Sequence, residues 1–294
     1  MTYKITFHTS VHDENGEETP TLNVPRASAM NEDHIESALN NQQKEELVSR
    51  ITRYMIARNT NKRPVLKAEL SKIVFADIEI SSNKKNVTFC AALSASQTKL
   101  RNTFGMEIIE VARKVRRHSH TTTTAHRRIS VSSTQPISVV KAYILVSILP
   151  SEYRPSCPTE SIKKALLTVV ASFITLAPGC RISQPQLYHE LARIGIDVDV
   201  HKAPEEMTCS SMREWLEGEV VKQWYLERET EGETYYYGLG GRLRAEIDDR
   251  DLIDFIDEVF QTQDGCDAGL DETARLELQT RLNDTAIAVI DRID

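Results

Sequence analysis

The residues best suited to chemistry in this sequence are the basic side chains of one long segment that lacks acidic residues. No Asp or Glu occurs between Ala112 and Ser151. The basic residues of that segment are Arg113, Lys114, Arg116, Arg117, Arg127, Arg128 and Lys141. Arg and Lys neutralise nucleic-acid phosphates, which gives affinity that does not depend on base sequence. We therefore predict that this segment contacts double-stranded DNA; a nuclear-import signal and a solvated charged run are the alternatives.

Four further basic residues extend the predicted DNA track on either side of the segment. They are Lys99, Arg101, Lys163 and Lys164. The formal net charge of the chain is −7, which taken alone argues against a general polyanion binder. The charges are polarised along the chain, because between Glu246 and Glu272 acidic residues crowd together and Arg250 is the only base. A local basic site is therefore compatible with an acidic chain.

Catalytic motifs are missing from the sequence. It contains no G-x-S-x-G, no H-E-x-x-H, no P-loop and no G-x-G-x-x-G. The nearest phosphate-binding pattern, Gly238-Leu239-Gly240-Gly241, is better interpreted as the end of a strand that needs a permissive backbone. His118, His120 and His126 have no neighbouring Cys or carboxylate that would complete a metal site. We therefore expect a protein that is not an enzyme and has no metal or cofactor; a deep pocket with facing ionisable groups would indicate an enzyme instead.

Length and composition predict an intracellular chain of roughly two domains. The 294 residues allow two domains of about 100–150 residues each. The five cysteines include no C-x-x-C pair, which argues against a disulfide framework and a structural zinc site. The longest apolar run, Ala165–Ala177, is shorter than the roughly 18 residues of a membrane span. The first four residues lack the apolar core of a signal peptide, so we expect no membrane association.

The first elements follow the order of a winged-helix domain. Apolar periodicity predicts a helix over about Gln42–Arg58, and its partner-binding residues are predicted to be Leu47, Ile51, Met55 and Ile56. Most of these lie on the core face of the helix, whereas Ile56 lies on the opposite flank. Two further helices are expected over Lys67–Phe75 and about Val87–Phe104, the latter ended by Gly105. Two strands follow, Met106–Val111 and Ala142–Leu149, joined by a structureless basic insert over roughly 113–140.

The same order of elements is repeated after a proline-rich linker. The predicted helices are about Thr159–Leu176, Gln184–Ile194 and Ser210–Gln223, the strands are Trp224–Glu229 and Thr234–Leu239, and a closing helix spans about Leu243–Gln261. The fold class is therefore mainly α with small β wings, a tandem of winged-helix domains. The expected organisation is a flexible arm over 1–42, a first domain over 43–150, a linker over 151–158, a second domain over 159–262 and a tail over 263–294 with an amphipathic helix. That last helix is either docked or loosely held.

The amino-acid sequence of these elements resembles the MAGE homology domain. The resemblance is carried by Tyr54-Met55-Ile56-Ala57-Arg58, Lys67-Ala68-Glu69-Leu70, Thr103-Phe104-Gly105-Met106, Trp224-Tyr225-Leu226-Glu227 and Arg242-Leu243-Arg244-Ala245-Glu246. It covers about residues 43–262 and implies two winged-helix domains packed on each other. Met55 and Ile56 stand where the family has paired leucines on its first helix.

The resemblance also implies a function. The usual member of the family outside the mammalian tumour-antigen branch is the MAGE-like non-SMC element of the SMC five/six complex. That subunit bridges a RING-type ubiquitin-ligase subunit and a kleisin subunit and helps the complex to hold double-stranded DNA. We therefore expect a scaffold that acts in DNA repair and recombination in the nucleus, on chromosomes, and that assists ubiquitin transfer by its partner. The kleisin is expected between the two domains, on a floor formed by the apolar helix 162–176.

A sequence-specific winged-helix transcription regulator is the alternative function. Such a protein needs Arg, Asn or Gln on the exposed face of a helix that reads bases. The predicted helix Ser210–Gln223 carries mostly Glu there.

Overall fold

A computed structural model describes residues 40–78, 80–116, 137–154, 158–199, 209, 211–264 and 269–290. The predicted arm up to residue 39 lies outside these residues, and so do Arg117, Arg127 and Arg128 of the predicted DNA track. The described residues belong to one compact unit. None of their helices combines the length and the hydropathy that crossing a membrane requires.

The first half begins with three helices and a short strand. Helix α1 spans Asn41–Asn59, strand β1 spans Val65–Leu66, and helices α2 and α3 span Lys67–Val74 and Ser82–Phe104. Asn40 caps α1, because its side chain accepts a hydrogen bond from the Gln42 N–H at 3.3 Å. Helix α3 ends where predicted: Gly105 adopts a φ of 59°, which favours glycine.

Two long strands complete the first half. Strand β2 spans Met106–Arg116 and strand β3 spans Ile137–Ser147, paired antiparallel from Met106 opposite Ser147 to Arg116 opposite Ile137. The strand order is β1-β3-β2. The prediction of a structureless insert over 113–140 is wrong at both ends. The ribbon continues into the basic segment because β-branched residues such as Val115, Val139 and Val140 favour extended backbone there.

The second half repeats this topology. Helix α4 spans Pro158–Leu176, β4 spans Arg181–Ser183, and α5 spans Gln184–Arg193. Helix α6 spans Met212–Glu214 and continues as a π-helical turn over Trp215–Val220. Strands β5 and β6 span Leu226–Glu231 and Thr234–Leu239, and the strand order β4-β6-β5 matches that of the first sheet. The tandem winged-helix prediction is confirmed, although the three-residue strand β4 was not predicted.

The predicted closing helix is in fact two helices. Helix α7 spans Gly241–Glu246 and helix α8 spans Asp249–Asp264, separated at Ile247, whose backbone is extended (φ −121°, ψ 119°). The side chain of Ile247 is buried in the second core. Asp248 then starts α8, because its carboxylate accepts a hydrogen bond from the Arg250 N–H at 2.8 Å.

The last helix, α9 (Glu272–Ile290), is docked. Its Leu278 and Leu282 are buried in the core of the second half, and Arg275 pairs with Asp257 at 2.6 Å. This docking also determines the surroundings of Asp257 on α8. Asp257 is buried rather than exposed, because the chain before α9 covers it and the Leu270 N–H donates to its carboxylate.

Helix α4 lies within the second half and not between the halves. Leu167, Val170, Ala171 and Ile174 are buried in the second core, where α4 packs against α5, β4, β6, α8 and α9. This helix therefore belongs to the second core, and its role as the floor of a kleisin groove stays a prediction. One apolar face of α4 is covered by the strands and helices of its own half, whereas Ile162 and Leu176 are exposed.

Candidate interaction surfaces

The two halves meet where one tryptophan packs on the outer face of the first sheet. Trp224 is 8% exposed and shares a buried cluster with Val111, Ala142 and Ile144, with Ala245 of α7 packed beside it. We call this cluster the seam. The opposite face of β3 carries Tyr143 and Leu145, which are also buried. A strand that is buried on both faces has a continuous rather than an alternating apolar sequence.

The sequence of β3 carries a signal of this burial on both faces. Residues 142–146 read Ala-Tyr-Ile-Leu-Val without a polar residue. A wing with one solvent-exposed face alternates apolar and polar residues. The uninterrupted run therefore indicates a second covering layer. It does not indicate which distant residue supplies that layer.

The backbone around Trp224 is held by close contacts with glycine. Trp224 has a φ of 63°, and its carbonyl accepts a hydrogen bond from the Arg242 N–H at 3.0 Å. A Cβ on Gly240 would lie 2.2 Å from the Trp224 carbonyl oxygen, and one on Gly241 would lie 3.0 Å from the Val111 Cβ. A side chain at Gly240 would therefore collide with the Trp224 backbone, and one at Gly241 would crowd Val111. Neither Gly240 nor Gly241 has a positive φ, which corrects the expectation of a merely permissive backbone.

Arg242, a buried arginine of α7, connects this helix to the backbone of the residue that precedes Trp224. Arg242 is 1% exposed; its Nε donates to the Gln223 carbonyl at 3.0 Å and its Nη1 donates to Glu246 at 2.9 Å. The Tyr225 hydroxyl donates to the same carboxylate at 2.7 Å. Burial, with the Glu246 charge beside it, raises the pKa of Tyr225, so its hydroxyl stays protonated and remains a donor.

A direct polar contact also crosses between the halves near the seam. The Gln223 side-chain amide donates to the Asn61 carbonyl, which follows α1, at 3.2 Å. Gln223 thus contacts Arg242 through its backbone and the first half through its side chain. The relative position of the halves is fixed by this hydrogen bond together with the apolar seam.

The structure places part of the predicted DNA track on the ribbon of β2 and β3. Lys114 and Arg116 lie on β2, in register with Val139 and Ile137. Arg113 lies against the seam, its guanidinium carbon 6.0 Å from the centre of the Trp224 ring. Lys141 pairs with Glu110 on the neighbouring strand at 3.0 Å. The backbone of residues 113, 114, 116 and 141 therefore belongs to a two-stranded ribbon, whereas Arg117, Arg127 and Arg128 lie outside the described residues.

The four basic residues outside the segment differ in their surroundings. Lys99 and Lys164 are exposed. Arg101 pairs with Glu107 at 2.5 Å, and Lys163 lies 3.8 Å from Glu219. Such partly exposed ion pairs contribute little to stability.

The predicted partner-binding face of α1 needs a correction. Leu47, Ile51 and Met55 are at most 1% exposed and form the core of the first half. Their side chains are already in contact with the chain's own interior, so a partner cannot reach them without unfolding α1. Ile56 is half-buried and is the one residue of the predicted set that a partner can touch.

No group of His, Cys, Asp or Glu side chains in the described part of the chain could hold a metal ion.

Comparison with known proteins agrees with this architecture. A family model described as the MAGE homology domain matches residues 51–250. A chain of the Nse1-Nse3-Nse4 complex has a similar structure, with a TM-score of 0.58 and 17% sequence identity over 84% of this chain and 99% of that chain. At this identity the likeness shows the fold. No curated protein matches the sequence.

Proposed function

We propose that this chain, which belongs to the MAGE homology domain family, is a non-catalytic scaffold subunit of an SMC five/six complex. It would hold a RING-type ubiquitin-ligase subunit on its first half and a kleisin subunit across both halves. Double-stranded DNA would lie along the basic ribbon. The complex would act on chromosomes in the nucleus, in DNA repair and recombination, and the scaffold would stimulate ubiquitin transfer by its RING-type partner.

One observation carries the proposal. The likeness to a chain of the Nse1-Nse3-Nse4 assembly extends over 84% of this chain and so includes both winged-helix halves. The seam and the Gln223–Asn61 contact hold those halves in one arrangement. A body with two fixed halves offers separate surfaces to separate partners, which is what a bridging subunit needs.

The alternative of a base-reading regulator has less support. The helix that would enter the major groove in the second half, α6 with its π-helical turn, buries Trp215, Leu216 and Val220. Its remaining positions include Glu214, Glu217 and Glu219. Carboxylates at these positions repel DNA phosphates, so non-specific contact through the ribbon is favoured over base readout.

Co-purification tests the scaffold role. The full chain is co-expressed with a RING-type subunit and a kleisin subunit, and the complex is captured through a tag on this chain. We expect Ile56→Asp to lose the RING-type subunit and to retain the kleisin, because a charge at a half-buried apolar contact is costly to desolvate. Ala57→Asp is the matched control, since Ala57 is exposed on the same helix turn.

Thermal melting by circular dichroism checks that both variants remain folded. Capture of the RING-type subunit by Ile56→Asp at the level of the unchanged chain would show that α1 is not its binding site. Failure of the unchanged chain to retain either partner would overturn the scaffold proposal itself.

A further inference from the structure

Strand β3 has an open edge beyond the short strand β1. Strand β1 pairs with only two residues in the middle of β3, Val65 opposite Tyr143 and Leu66 opposite Ala142. On that side, residues 137–141 of β3 have no strand partner among the described residues. Alternate residues of an antiparallel strand direct their N–H and C=O groups to each side. The open edge therefore presents both donors and acceptors in the spacing of a β-strand.

A groove of about 540 Å³ runs beside this edge. It is lined by Leu66, Lys67, Ala68, Ser71, Val139, Val140 and Lys141. Its lining is mostly apolar, and Leu66 is 39% exposed within it. An exposed apolar groove next to an unpaired strand edge is the arrangement that binds an added strand, with backbone hydrogen bonds for affinity and side-chain pockets for specificity.

The positive charge of the groove lining favours binding of an acidic peptide segment. None of its described lining residues is acidic, and two are basic: Lys67, and Lys141, which pairs with Glu110 of β2 at 3.0 Å. The first turn of α2 also opens onto it, and Leu66, at the N-cap position, offers no side-chain hydrogen bond to that turn. The unsatisfied N–H groups of a helix N-terminus favour negative charge nearby.

We infer that the open edge of β3 and the adjoining groove bind an extended, acidic segment of a partner protein by strand addition. Apolar side chains of that segment would contact Leu66 and Val139 or Val140, and its carboxylates would meet Lys67. Nucleic acid fits less well, because a phosphodiester offers acceptors only and buries no apolar side chain. This inference does not rest on the proposed complex.

A synthetic peptide tests the inference on the full chain. The probe is a blocked ten-residue peptide of alternating Glu and Val, and the matched probe carries Lys in place of Glu. We expect the acidic peptide to bind and to slow amide hydrogen exchange in residues 139–141. The basic peptide is expected to do neither. Protection of these amides by a short DNA duplex, but not by the acidic peptide, would overturn the inference.

The double variant Leu66→Asp with Lys67→Glu removes the apolar wall and the Lys67 charge. Asp at an N-cap and Glu in the first helical turn both stabilise a helix, so loss of binding would not report unfolding of α2. We expect at least about a tenfold weaker affinity for the acidic peptide, measured by fluorescence anisotropy. Lys72→Glu, on the same helix and outside the groove lining, is the control and is expected to stay within about twofold. Equal affinity of the double variant and the unchanged chain would show that the groove is not the binding site.

Discussion

The two wings of this molecule share one topology and differ in what covers their outer faces. In the first half, the outer face of β2 and β3 is apolar and is buried under Trp224. In the second half, strand alternation places Glu227, Glu229 and Glu231 on one face of β5, where Arg181 of β4 lies 3.1 Å from Glu231. The first outer face joins the halves, whereas the second is a charged surface.

The two wings also differ in length. Strands β2 and β3 have 11 residues each, and β5 and β6 have 6 each, joined by a tight turn in which Gly232 has a φ of 62°. A short wing needs only its own core to stabilise it. The long ribbon is supported from outside by the other half, and residues 137–141 of β3 have no strand partner on the β1 side among the described residues. Two copies of one fold thus differ in the chemistry of their outer sheet faces.

Breaking the seam is expected to have the largest effect. Trp224→Ala removes the aromatic side chain that covers the first sheet, and burial of this size corresponds to about 3–5 kcal/mol of the free energy of unfolding. Denaturant titration measures the loss. Tyr236→Ala on the outer face of the second sheet, where the ring contacts Arg181, is the matched change and is expected to cost about 1 kcal/mol. Equal losses in the two variants would show that the outer faces do not differ in the way described.

Neutralising the first wing is expected to have the next largest effect, on DNA binding. Replacing Lys114, Arg116, Arg117, Arg127 and Arg128 by Gln should lower affinity for duplex DNA on the order of 100-fold at low salt and flatten the dependence of affinity on salt. Arg113 is kept because it lies against Trp224. Gln at Arg181 and Arg228 of the second wing is the comparison and should leave the salt slope nearly unchanged. An unchanged slope in the first-wing variant would remove DNA contact from the proposed function.

A pair of glycines gives the smallest and most local test. Gly240→Ala would place a Cβ 2.2 Å from the Trp224 carbonyl oxygen. Backbone displacement of this kind costs about 1–3 kcal/mol, which thermal or denaturant unfolding can resolve. Gly238→Ala, only two residues earlier, meets nothing closer than 3.8 Å and is expected to be nearly neutral. If Gly238→Ala destabilised the chain as much as Gly240→Ala, the close approach at the seam would not explain the glycine.

Much of the fold could be predicted because it depends on local patterns. The core face of α1 follows from the spacing of Leu47, Ile51 and Met55, and the end of α3 follows from Gly105. Strand β4 was missed because three residues cannot establish a period of two. The break at Ile247 was missed because the helical pattern continues across it, whereas the extended backbone there lets Ile247 reach the second core.

The sequence by itself determined the order of the longer helices and strands, the tandem winged-helix class and the position of the basic segment. These follow from the periodicity and charge of residues that are neighbours along the chain. Only the tertiary structure decided which apolar surfaces remain available to partners. Met55 is buried in the first core and Trp224 is buried in the seam, whereas Leu66 is exposed beside an open strand edge. Burial is a property of contacts between distant segments, so no local pattern can assign it.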